Sequence, residues 1–180
     1  MGHRQTAQHR KGRDSYHQVG LVRGQFGDIE HGDWIKFLNK AGFDGYEECS
    51  WLCELDRCDS YERAGEYATE LLKKIRRGDL EIFALSVHLQ GQALGDEPSA
   101  KTLGLVGGEA REAYVAWREA GHTPPRTNPY YVPEEVGRLI HEEAERQMLA
   151  AVRLAKALGD GQGRKMPITG FVGSPAHCWS

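Results

Sequence analysis

Leu80-Glu81-Ile82-Phe83-Ala84-Leu85-Ser86-Val87-His88 is the stretch on which the reading of the whole chain turns. From Ile82 to Val87 it is apolar except for Ser86. A strand with one wet face alternates polar and apolar residues. A run that is apolar at nearly every position is covered on both faces, as in a parallel sheet flanked by helices. His88 stands at the C-terminal end of this strand, with Gln90 and Gln92 just beyond it.

On the N-terminal side, Ser60 is placed to cap a helix whose apolar positions are Tyr61, Ala64, Ala68, Leu71, Leu72 and Ile75. That spacing of three and four makes one buried stripe. Arg76-Arg77-Gly78 suits its end, with cations near the negative pole of the helix dipole and a glycine after them. Before it, Phe43-Asp44-Gly45-Tyr46-Glu47 reads as a turn entering another strand. Earlier still, Asp33 is placed to cap a helix carrying Trp34, Ile35, Leu38 and Ala41, with Gly42 as its terminating glycine. Val19 to Val22 is a first strand, followed by the glycine-punctuated turn Arg23 to Gly27.

On the C-terminal side, residues 89–107 read as a glycine-rich loop, and Glu109 to Ala120 as a helix. Gly121 to Pro133 holds Pro124, Pro125, Pro129 and Pro133 and cannot be helical. Pro133 fits the first turn of a long helix from Val136 to Leu158, ending at Gly159. Pro167 to Val172 is a fourth strand. The order is β-α-β-α-β-(α)-α-β, which implies a parallel sheet joined by right-handed crossovers. An open doubly wound sheet and part of a barrel both fit this order. Gly24-Gln25-Phe26-Gly27 is not the G-x-G-x-x-G of a dinucleotide site, and no phosphate-loop lysine follows.

The chain has 180 residues, 39% of them hydrophobic and 27% charged, with a net charge of −3. The length suits one domain, whereas a complete eight-fold β/α barrel takes about 250 residues. No apolar run approaches the ~18 residues of a membrane span. The charge gives no reason to expect nucleic acid or an anionic membrane as partner. Residues 1–18 carry Arg4, Arg10, Lys11 and Arg13 with three histidines and almost nothing apolar. They read as a disordered basic tail, without the apolar core of a secretory signal, ahead of one domain over 19–180. Cys49, Cys53, Cys58 and Cys178 form no C-x-x-C pair. They read as reduced thiols of a cytoplasmic protein, though three in one segment leave a zinc role open.

In parallel β/α folds the chemistry sits where strands end. The polar groups at those ends are Gln25 and Asp28, then Glu47 and Glu48 with Trp51, then His88, Gln90 and Gln92, then Ser174 with His177. Glu47 and Glu48 are adjacent and so point to opposite faces. Whichever is buried requires a cation or metal as partner. His88 is either a catalytic group or a satisfied core histidine, and Trp51 either a wall for a sugar face or ordinary packing.

A series of segments carries a family resemblance: Gly24-Gln25-Phe26-Gly27-Asp28, Ala41-Gly42-Phe43-Asp44-Gly45-Tyr46-Glu47, Trp51, Asp56-Arg57, Leu80 to Gln92, and Gly170-Phe171-Val172-Gly173-Ser174. It resembles the sugar phosphate isomerase/epimerase family of xylose isomerase-like TIM barrels, from about Val19 onward. Ser86 to Gln92 is the most specific part; the G-F-D-G-x-E turn is shared across the superfamily. The resemblance implies a partial (β/α) TIM barrel, about four β/α units of eight. It implies aldose–ketose isomerisation or epimerisation of a sugar or sugar phosphate. A divalent metal (Mn, Mg or Co) held by Glu, Asp, His and Glu would serve the complete barrel. Those ligands lie mainly on later strands, so no metal ligand is assigned to this chain, and the expectation is a truncated half that is inactive alone.

Its assigned residues are His88 and Glu47 as catalytic groups, with Trp51, Gln90, Gln92 and Ser174 contacting substrate. Relatives carry an Asp-His pair where this chain has Leu52-Cys53-Glu54-Leu55, so no role is carried over there. A half barrel leaves two strand edges and an apolar interior open, which favours pairing as a homodimer or with a second half-barrel chain. A non-catalytic sugar-binding half barrel is one alternative. An endonuclease IV-like DNA-repair barrel is another, with His88 as its strand-three histidine, but no basic stripe accompanies it.

Overall fold

The computed structural model describes residues 18–76 and 78–170. The basic segment 1–17, Arg77, Ser174, His177, Cys178 and the end of the expected fourth strand therefore lie outside the described residues. Among the described residues there are four strands: β1 (Gly20–Val22), β2 (Gly45–Cys49), β3 (Glu81–Ser86) and β4 (Ile168–Thr169). They form one parallel sheet in the order β1-β2-β3-β4. Six α-helices connect them: α1 (His31–Ala41), α2 (Tyr61–Arg76), α3 (His88–Gly95), α4 (Ala100–Val106), α5 (Gly108–Glu119) and α6 (Glu134–Gln162). The chain is thus α/β with a four-stranded parallel sheet. No described helix is long and apolar enough to cross a membrane.

The sequence signals for α1 and α2 act as expected at one end of each. Gly42 closes α1 at φ 82°, donating its N–H to Asn39 and Leu38 carbonyls. Ser60 Oγ accepts from Arg63 N at 3.2 Å at the start of α2. The cap of α1, however, is Glu30 and not Asp33. Its carboxylate accepts from Gly32 N at 2.6 Å and Asp33 N at 3.3 Å, and Asp33 instead lies in the first turn, paired with Lys36.

Residues 89–107 are not a loop. They form α3 and α4, the latter opened by a capping box in which Ser99 and Thr102 satisfy each other's backbone N–H groups. Glycine usually weakens a helix, yet Gly91 and Gln90 of α3 are buried, so packing rather than propensity holds it. The long helix also runs past Gly159 to Gln162 and stops at Gly163, φ 69°. Gly159 is needed for a different reason: a Cβ there would lie 2.6 Å from the Arg164 carbonyl oxygen of the returning chain.

Two cores result. The first joins one sheet face, through Tyr46, Ile82 and Leu85, to α1 (Trp34, Ile35, Leu38), α2 (Ala64, Ala68, Leu71, Leu72, Ile75) and the C-terminal half of α6 (Ala151, Leu154, Ala155, Leu158). The second is all-helical. It buries Ala93, Leu103, Val106 and Ala110 against Val136, Ile140 and Ala144 of the N-terminal half of α6. Side chains of the opposite sheet face, Val22, Glu47, Phe83, Ser86 and Thr169, belong to neither core. On that face the Phe83 ring lies across two glycines. A Cβ on Gly20 would sit 2.6 Å from the ring, and one on Gly45 2.7 Å from the ring and 2.2 Å from the Glu81 carbonyl oxygen. The register slips by one residue there, since Tyr46 pairs with Ile82 and Glu47 with Ala84, so Phe83 is the extra residue of a bulge.

Candidate functional site

The adjacent carboxylates at the end of β2 divide between the two faces. Glu48 turns to the helices and is fully buried. Arg23, in the short 3-10 turn Arg23–Phe26 after β1, brings Nη1 to 3.1 and 2.9 Å from its two oxygens, and the Cys49 backbone N–H donates to it at 2.9 Å. The Tyr46 hydroxyl also bonds to Glu48, and His31 Nε2 lies 2.8 Å from that hydroxyl and 3.8 Å from Glu48 Oε2. Burial pushes the Glu48 carboxyl up, and Arg23 opposes it. Burial lowers His31 to about 4, with Arg23 adding to the effect, so its imidazole is neutral near pH 7. This cluster anchors the β1 turn and the start of α1 from beneath.

Glu47 faces the other way and is half-buried. Thr169 Oγ1 of β4 donates to its Oε1 at 2.8 Å. Since β3 lies between β2 and β4, this bond spans the face of β3. Among the described residues Glu47 Oε2 has no hydrogen bond. Beneath the span, Ser86 pairs with Thr169 on one side and with Cys49 on the other, and all three share the face of Glu47.

The remaining assigned residues surround this end of the sheet. Trp51, in the 3-10 turn Ser50–Leu52, presses its ring on Gly24, where a Cβ would come within 2.9 Å of it and 3.2 Å of Cys49 Sγ. Only glycine admits the indole there. His88 opens α3, half-buried, two residues past the end of β3. Gln90 is buried and occupied by protein at both ends of its amide. Ser50 Oγ donates to its Oε1 at 2.7 Å, and its Nε2 donates to Gln147 Oε1 at 3.0 Å. Gln92 bonds to Asp96 at 3.2 Å on its own helix. Glu47, Trp51 and His88 thus gather around the carboxyl ends of β2 and β3, whereas Gln90 and Gln92 make protein contacts.

Thr169, Ser86, Arg23 and Gln147 take part in this region without having been singled out in the sequence. Thr169 and Ser86 lay inside expected strands, so strand alternation held the signal. Arg23 and Gln147 lie far along the chain from their partners and gave none.

Among the described residues no group of three or more His, Cys, Asp and Glu side chains is arranged to hold a metal ion. Glu47 and His88 are two donors where the expected set has four, so the residues described do not fit the divalent ion of the resemblance. Cys49, Cys53 and Cys58 are free thiols. Burial pushes Cys49 up to about 12 and Cys58 up to about 11, and Cys53 rises for the same reason. Without a metal these thiols stay protonated near pH 7. No protein-family model matches the chain, and comparison with curated proteins gives no significant match.

Proposed function

We propose that the chain forms the first half of a xylose isomerase-like barrel and supplies the substrate-holding side of a pocket for a sugar or sugar phosphate. The observation that carries this reading is the sheet order β1-β2-β3-β4 with every strand parallel. In a doubly wound sheet the order reverses at a switch point and helices cover both faces. In a barrel every crossover advances in one direction, so the helices line one face and the other turns inward. Here α1, α2 and α6 share one face, and Glu47 and Thr169 stand on the other, at the carboxyl ends of their strands.

The chemistry of that face suits a polyhydroxylated ligand. Glu47 would accept from ligand hydroxyls through Oε2, which has no hydrogen bond among the described residues. Trp51 offers an indole at the same end, the kind of apolar plane on which the C–H face of a sugar rests. His88 adds a donor or acceptor at the start of α3. Isomerisation or epimerisation, with its proton transfer beside a carbonyl, is the activity of a completed eight-stranded barrel. The outer edges of β1 and β4, which have no strand partner among the described residues, are where the remaining strands would join. The three unpaired thiols favour a reducing compartment, the cytoplasm.

The test is an NMR titration of the chain with aldopentoses, ketopentoses and their phosphates. The expected result is shifts at Glu47, Trp51 and His88, and weakening of about five- to tenfold in Glu47→Gln, the scale of a lost hydrogen bond to a charged group. If no sugar shifts these residues, the reading falls.

A further inference from the structure

Ser86 is the residue of the open face that the fold leaves unexplained. It is fully buried, and among the described residues its Oγ has no hydrogen-bond partner. Buried hydroxyls are nearly always paired, because leaving one unmade costs the whole desolvation of the group. Nothing in the local structure requires serine: Cys49 and Ala84 stand beside it on the same face, and alanine or cysteine would fill the space without a stranded polar atom. Thr169 is the β4 partner of Ser86 and Glu47 the β2 partner of Ala84, so the bond from Thr169 Oγ1 to Glu47 Oε1 crosses β3 beside Ser86. Cys49 and Ala84 on this face are buried as well. Opened, the bond would leave the Glu47 carboxylate available beside Ser86 Oγ.

We infer that Ser86 is a ligand-binding group, and that a ligand with two adjacent hydroxyls displaces Thr169 from Glu47 and bonds to Glu47 and Ser86 together. One ligand hydroxyl donates to the carboxylate in place of the threonine hydroxyl, so the bond to Glu47 is exchanged rather than lost. The other pairs with Ser86 Oγ, which has no bond to give up. The net gain is the Ser86 bond, and it is available only to a ligand whose second hydroxyl is on the next carbon. Ser86 therefore selects vicinal diols over isolated hydroxyls. This rests on the sugar-pocket reading and narrows it to a stereochemical requirement.

The experiment titrates the full chain and its Ser86→Ala variant with erythritol and with 1,4-butanediol, which has the same carbon count and no adjacent hydroxyls, by NMR, alongside thermal unfolding of both proteins. Erythritol is expected to bind at Glu47 and Ser86 about five- to tenfold more tightly than 1,4-butanediol, and Ser86→Ala to erase that preference. Ser86→Ala is also expected to raise the thermal midpoint, because it removes an unpaired buried hydroxyl. If Ser86→Ala keeps the preference, the role of Ser86 is overturned while the sugar pocket stands. If it lowers the midpoint, Ser86 has a partner in the fold and the inference fails. Binding of erythritol without binding of any pentose would sink the sugar reading alone, and binding of neither would sink both.

Discussion

Replacing Arg23 by methionine gives a large effect that the structure specifies in both size and pH dependence. Methionine fills the stem of the arginine and leaves Glu48, fully buried, without its cation. Breaking a buried ion pair on one side costs about 3–5 kcal/mol, mainly because the surviving charge stays in a poorly solvating interior. The Cys49 N–H and the Tyr46 hydroxyl still bond to Glu48 and hold the loss toward the lower end. Burial already raises the Glu48 carboxyl, and Arg23 is the strongest influence opposing it, so the variant's Glu48 titrates higher still. A carboxyl whose folded pKa exceeds its unfolded value, about 4.3, stabilises the fold fully below that value. The contribution is lost as pH rises through the folded pKa. The deficit of Arg23→Met is therefore greatest near pH 8 and shrinks toward pH 5, at up to about 1.4 kcal/mol per pH unit.

His31 acts in the same direction. Arg23 is the second cause of its low pKa, after burial. Without Arg23 the imidazole takes up a proton more readily, 3.8 Å from Glu48 Oε2, and partly replaces the lost cation as the medium becomes acidic. Urea unfolding at pH 5, 6.5 and 8 measures both effects, and Arg23→Met/Glu48→Gln serves as the control, expected to recover more than half of the loss. A deficit below about 1 kcal/mol at pH 8, where a paired buried charge predicts several, would refute the reasoning. So would an equal deficit at pH 5 and pH 8, or a double variant no better than the single one.

Two further substitutions separate backbone space from backbone freedom. Gly45→Ala is expected to destabilise strongly, by more than about 2 kcal/mol, because its Cβ would overlap the Glu81 carbonyl oxygen and the Phe83 ring. Gly65→Ala, in α2 with nothing within 4 Å of the new methyl, is expected to stabilise by about 0.5–1 kcal/mol; thermal unfolding of the two variants reads both signs. Gln90→Leu leaves Ser50 Oγ and Gln147 Oε1 without their partners and is expected to cost about 2–3 kcal/mol in urea unfolding. A loss under ~0.5 kcal/mol would mean that solvent already reaches this chain of side chains.

The strands and the helices with a single apolar stripe were legible because period and composition agree there. Ile82 to Val87 is apolar on both faces, and Ala64 to Ile75 repeats at three and four, whereas Tyr61, expected on the same buried stripe, is exposed. The cap of α1 was misplaced because aspartate is a favoured cap and glutamate is not. The chain enters the helix between Phe26 and Trp34, whose rings stack with centroids 5.1 Å apart. Helices α3 and α4 were hidden by Gly91, Gly95 and Gly104, since their stability comes from packing Ala93, Leu103 and Val106 into the second core and not from helix propensity. At the site, alternation alone put Glu47 and Glu48 on opposite faces. Which of them is buried depends on Arg23, 25 residues earlier, and no local pattern encodes that pairing. Gln90 was expected on substrate for the same reason: its partner Gln147 lies 57 residues away.

That distant partner also explains why so much helix separates β3 from β4. Helix α6 lines the all-helical core with Val136, Ile140 and Ala144 and the sheet core with Ala151, Leu154 and Leu158. At the crossing between them Gln147 bonds to Gln90 in α3, to the Val106 carbonyl at the end of α4, and to Glu143 one turn earlier. Glu143 is in turn held by Arg146, which also reaches Asp56 in the turn before α2. Gln90 is two residues from His88 and bonds to Ser50, which precedes Trp51. The positions of His88 and Trp51 are therefore fixed through one continuous set of bonds that ends on α6. A helix that is buried in two cores cannot rotate about its axis without breaking one of them. By holding Gln147 at that junction, the helical excursion sets the rim of the sheet rather than hanging from it.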